Sequence, residues 1–146
     1  MDPDQWILRQ AVMTRGFSQP FYAAAPEAID TASGGSSELL ADQGAGAANR
    51  LYLTLIGMSG SVPGTKVQNL QIPLNFDVMT DIGLAALNTP IFANFLGKLD
   101  AAGMGLATLT LPPGLGVPLK GKTLTACYVL IDSLDFASRP VQIALR

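Results

Sequence analysis

Leu51-Tyr52-Leu53-Thr54-Leu55-Ile56 decides the fold: Leu51, Leu53 and Leu55 point one way and Tyr52, Thr54 and Ile56 the other, the period of two that a β-strand imposes. Ser59-Gly60 and Pro63-Gly64 then end the run with turn residues. A helix would space its apolar residues three and four apart, so this segment is a strand with at least one buried face. The same reading extends outward to Val67–Leu74, Thr123–Ile131 and Val141–Leu145. Pro73 fits only an edge or a strand end, because proline cannot donate to a ladder. Val78–Leu87 gives a weaker strand signal, interrupted by Gly83. Phe92–Leu99, Asp100-Ala101-Ala102-Gly103 and Gly105–Leu111 read as a hairpin, with Gly103 at the left-handed position of a short turn. Pro112-Pro113-Gly114 stops that hairpin, and Asp132–Asp135 is a further turn. About seven short strands at near-regular spacing predict an all-β fold, an antiparallel β-sandwich over residues 46–146.

Residues 1–45 differ in character and are expected to form an N-terminal arm. Asp2-Pro3-Asp4-Gln5 has the marks of a helix start: a side-chain acceptor at the cap, proline where a missing N–H costs nothing, and glutamine at the reciprocal position. Ile7, Leu8, Ala11 and Val12 follow at helical spacing, so a short amphipathic helix is predicted over Pro3 to Arg15, with Gly16 as its stop. Ser33-Gly34-Gly35-Ser36-Ser37 has the composition of an extended or flexible connection, and Glu38–Asp42 that of a turn of helix. The arm carries Trp6, Ile7, Leu8, Phe17, Phe21 and Tyr22, which are too apolar to stand in water. They are the expected anchors of a docking contact. Donated to the next copy, such a contact runs head to tail and closes into a ring or propagates as a filament; alternatively, the arm folds back on its own sandwich.

Composition bounds the chemistry. The 146 residues include no histidine, one cysteine and only 14% charged residues, which removes most familiar catalytic and metal-binding constellations. No cofactor, no metal and no enzymatic activity are expected. Nine Lys+Arg against eleven Asp+Glu, scattered along the chain, leave no basic stripe for nucleic acid. Mean hydropathy is high at +0.34, yet no stretch approaches the roughly 18–20 apolar residues of a membrane span. High apolar content with few charges points to apolar surface covered by a neighbour, most simply another copy. Met1-Asp2-Pro3-Asp4 is acidic where a secretory signal would begin basic. Cys127, within the apolar run Leu124–Ile131, is expected as a small buried hydrophobe.

Three motifs have plainer readings. Gly57-Met58-Ser59-Gly60-Ser61 has the wrong spacing for a nucleophile elbow, and the chain has no histidine to act as base. Gly44-Ala45-Gly46-Ala47-Ala48-Asn49 falls short of a dinucleotide fingerprint and precedes a strand instead of following one. Asp77, Asp81, Asp100, Asp132 and Asp135 lack the dense spacing of a Ca²⁺ loop and suit turns, where aspartate bonds its own backbone.

One resemblance emerges from the ordered turns. Ile72-Pro73-Leu74-Asn75, Asn88-Thr89-Pro90 and Asn94-Phe95-Leu96-Gly97-Lys98-Leu99-Asp100-Ala101-Ala102-Gly103 come first. Thr108-Leu109-Thr110-Leu111-Pro112-Pro113-Gly114, Tyr128-Val129-Leu130-Ile131-Asp132 and Phe136-Ala137-Ser138-Arg139-Pro140-Val141 follow. Over Asn49 to Arg146 the chain resembles the β-rich C-terminal module of many secreted and surface proteins of planctomycete-type bacteria. The resemblance implies an extracellular or cell-surface, non-enzymatic module. The expected function is a structural subunit that self-associates through its arm. The alternative is a monomeric carbohydrate- or protein-binding module whose site lies in loops at one end.

Overall fold

The strand Thr123–Leu130 is buried at every residue after the first, which requires both faces of its sheet to be covered. The computed structural model describes residues 21–146, and its architecture shows how this is done. In chain order the strands are β1 (Phe21–Ala25), β2 (Ala28–Ile29), β3 (Gly35–Asp42), β4 (Leu51–Gly57), β5 (Thr65–Val67) and β6 (Leu70–Ile72). A helix, α1 (Val78–Ala85), is followed by β7 (Phe92–Ala93), β8 (Leu96–Lys98), β9 (Met104–Leu111), β10 (Thr123–Leu130), β11 (Phe136–Ala137) and β12 (Val141–Leu145). One sheet runs β1-β3-β9-β7; a second runs β2-β12-β10-β4-β8 with β11 also beside β10; β5 and β6 form a separate hairpin. All pairings are antiparallel except that of β2 with β12.

Alternation along β10 sends Leu124 and Ala126 one way, where they join Ile143 and Leu145 of β12 and meet Leu39, Leu109 and Leu111 of the other sheet. It sends Cys127 and Val129 the other way, with Leu55 of β4, against Ile72 and Leu74 in and just after β6. The β5–β6 hairpin is therefore the lid that buries the outer face of β10. Each fully buried Leu or Ile contributes roughly 1.5–3 kcal/mol, so both faces of this sheet supply stability. No helix among the described residues is long and apolar enough to cross a membrane.

The fold is mostly β, as expected, and β4, β10 and β12 lie where their periodicity places them. Five details differ. The described residues hold twelve strands, against the expected seven or so. Gly35–Asp42 is neither linker nor helical turn: it pairs along all eight residues with β9 and on its other side with β1, so residues 21–42 belong to the sheets and do not form an arm. Val67–Leu74 is not one strand, because Gln68 takes a φ of 55° and the chain reverses between Val67 and Leu70. Val78–Leu87 is largely helix, since Asp77 and Thr80 close a reciprocal capping box at its start. Phe92–Leu99 does not form a hairpin with Gly105–Leu111 as a unit: β7 pairs with β9, then the chain crosses at Asn94 (φ 58°) and β8 joins β4 in the other sheet. The predicted helix Pro3 to Arg15 lies outside the described residues.

Candidate functional site

The five aspartates weighed against a Ca²⁺ loop, Asp77, Asp81, Asp100, Asp132 and Asp135, serve local structure. Asp77 accepts hydrogen bonds from the backbone N–H of Met79 (3.0 Å) and Thr80 (3.2 Å), capping α1, and from the Met58 N–H (2.8 Å) and Ser59 hydroxyl (2.7 Å), tying the end of β4 to the helix. Burial pushes its carboxyl up, but the bonds from Ser59, Met58, Thr80 and Met79 outweigh that, and its pKa lies below the ordinary value. A depressed folded pKa means stability that is fully present above about pH 4, the unfolded value, and is lost as pH falls through the folded one. Asp77→Asn is expected to flatten this part of the acid limb of a urea-denaturation series. Asp77→Ala should cost about 2 kcal/mol at neutral pH through loss of the cap.

Arg50 holds Asp132 and Asp135 together at 2.9 and 2.8 Å, fixing the turn after β10. Its hydrogen bond is the leading reason that Asp132 titrates below the usual carboxylate range. The carboxylates are 37% and 54% exposed, so this clamp shapes the turn more than it stabilises the fold. Asp100 accepts from the N–H groups of Ala102 and Met104 in the turn before β9. Asp81 stands in the first turn of α1, the favourable end of its dipole. Among the described residues no three acidic or thiol side chains converge as a metal ion would need.

Of the six proposed anchors, Trp6, Ile7, Leu8 and Phe17 lie outside the described residues. Phe21 begins β1. Tyr22 packs edge-on against Tyr128 with ring centroids 4.9 Å apart, so it ties β1 to β10 of its own chain. Cys127 is fully buried, and burial pushes its thiol up to about 12. Native protein should accordingly react with a thiol reagent slowly, and denatured protein at the rate of a free cysteine; rapid native labelling would contradict the placement of β10.

What the sequence did not reveal is an apolar cavity of about 170 Å³ where the two sheets part at one end. Ile56, Leu109, Leu111 and Leu124 from three strands form its floor. Met79 and Ile82 of α1 roof it, and the loop at Leu115–Leu119 closes its side. Gly83 lets the helix lie close, since a Cβ there would stand 3.0 Å from the Ile56 side chain. Two lining residues face water at the mouth, Ile82 (46% exposed) and Leu115 (53%); Val78 (63%), one helical turn before Ile82, and Val117 (47%), two residues beyond Leu115, are exposed as well. Its residues lie between positions 56 and 124, so only the topology assembles it; the one local signal was the capping box that starts α1. Comparison with protein-family models and with curated proteins finds no match for this chain.

Proposed function

We propose that the chain is a non-enzymatic structural subunit, a β-sandwich built from the two facing sheets, that associates with further copies of itself in an extracellular or cell-surface assembly. The observation that carries this reading is the exposure of four large apolar side chains on the two segments that line the cavity, Val78 and Ile82 on α1 and Leu115 and Val117 in the loop beside it. Soluble monomers keep such side chains scattered; four of them on two segments that flank one opening mark a surface that another body covers. Residues 1–20 enter at β1 and bring Trp6, Ile7, Leu8 and Phe17, a second set of apolar groups for contacts between copies. The extracellular setting and the module family rest on the resemblance of residues 49–146 to the C-terminal modules of planctomycete-type surface proteins.

Two of the exposed residues give the test. Val78→Glu combined with Val117→Glu leaves the buried core untouched and should lower the association constant at least tenfold, because the charges must lose water when the patch is covered. Removing residues 1–20 separately measures the contribution of the N-terminal segment. A cut at residue 45 does not serve, since it would remove β3 from the centre of its sheet. Unchanged association of both variants would show that neither surface carries the contact, and a full chain that stays monomeric would redirect the reading to a monomeric binding module, which the cavity favours.

A further inference from the structure

We propose that the cavity beneath α1 binds the alkyl chain of a single-tailed amphiphile, enclosing about six to eight of its carbons. The lining decides the class of ligand, since Gly116 alone among the lining residues lacks an apolar side chain. A sugar, a nucleotide or a peptide would bring hydroxyls, phosphates or amides that lose their water and find no partner there. A hydrocarbon chain loses nothing of the kind. Volume sets the length: about 170 Å³ is close to the roughly 150 Å³ at which a cavity lined by Leu, Ile and Phe stays dry and takes up a six-carbon hydrocarbon.

The mouth supplies the direction. Ile82 and Leu115 both line the cavity and both reach solvent, so apolar surface runs unbroken from the buried floor to the outside, and the polar end of the ligand stays in water. A side chain inserted by another copy would carry backbone amides to a rim of two apolar side chains, whereas the terminal methyl of an alkyl chain carries none. All the lining residues come from one chain, so the site is complete without a second copy.

Straight-chain carboxylates from hexanoate to dodecanoate, kept below micellar concentrations, are titrated into the full chain while the Met79 methyl resonance is followed. Binding should saturate, strengthen about threefold to fourfold per added methylene, and level off once the cavity is full. Ile82→Glu with Leu115→Glu, both at exposed positions, should weaken it at least tenfold with the circular dichroism spectrum unchanged. Co-sedimentation with phosphatidylcholine vesicles distinguishes the source of the chain. Saturable carboxylate binding without co-sedimentation assigns a free amphiphile, and co-sedimentation abolished by the double variant assigns a bilayer lipid. No saturable Met79 shift together with no variant-sensitive co-sedimentation overturns the proposal, as does binding indifferent to the double variant. Failure of the association test, which uses Val78 and Val117 and reads sedimentation, leaves this result unaffected.

Discussion

Gly103→Val is expected to destabilise the fold by roughly 3 kcal/mol, from two causes that add. Gly103 sits at φ 78°, where an L side chain costs roughly 1–2 kcal/mol. A Cβ there would also fall 1.8 Å from the Gly44 carbonyl oxygen, so the backbone of one turn must move away from the other. That movement breaks more than space, because the Gln43 N–H donates to the Gly103 carbonyl at 2.9 Å and the Tyr128 hydroxyl bonds the Gln43 side chain at 2.7 Å. The melting temperature should drop by roughly 6–12 °C. Gly114→Val is the control: φ is 81° there, but no atom lies within 4 Å of the would-be Cβ. Gly114→Val should therefore show the conformational cost alone. Equal losses at both positions would refute the contact between the two turns.

Phe95→Ala should cost about 4 kcal/mol, the range for emptying a fully buried aromatic site. Phe95 is 0% exposed and stands where the chain leaves one sheet for the other. Its ring meets Phe92 edge-on at 5.3 Å, while its carbonyl accepts from the Thr54 N–H at 2.7 Å. One side chain thus fills the space at the crossing, and its backbone pins β4. Phe95→Leu keeps most of the volume and should lose only about 1–1.5 kcal/mol. Chemical denaturation of the pair checks both figures, and a Phe95→Ala loss no larger than that of Phe95→Leu would mean the site collapses without a cavity.

How far the sequence could be read depended on what covered each strand. β10 and β12 were legible because their inward residues, Leu124 and Ala126, Ile143 and Leu145, repeat at period two and end at clear turns. The left-handed Gly103 was legible for the same local reason, between Asp100 and a β run. β3 was not: Leu39 and Leu40 are both about 99% buried though they point to opposite faces, which erases alternation, and the preceding serines and glycines resemble a linker. α1 was misread because Val78, Ile82 and Leu84 look like strand residues while the helix buries Met79, Thr80 and Gly83. Asp77 and Thr80 were the signal that could have found it. The crossing at Asn94 is a consequence of sheet pairing and had no local trace, while the cavity left only the capping box of α1, the helix that roofs it.

Sedimentation velocity of the full chain, over about a hundredfold range of concentration, tests the central claim most directly. Association predicts a sedimentation coefficient that climbs with concentration above that of the 15.3 kDa monomer, and a smaller climb for Val78→Glu with Val117→Glu. A single monomeric species throughout the range would contradict self-association and leave the chain as a monomeric binding module.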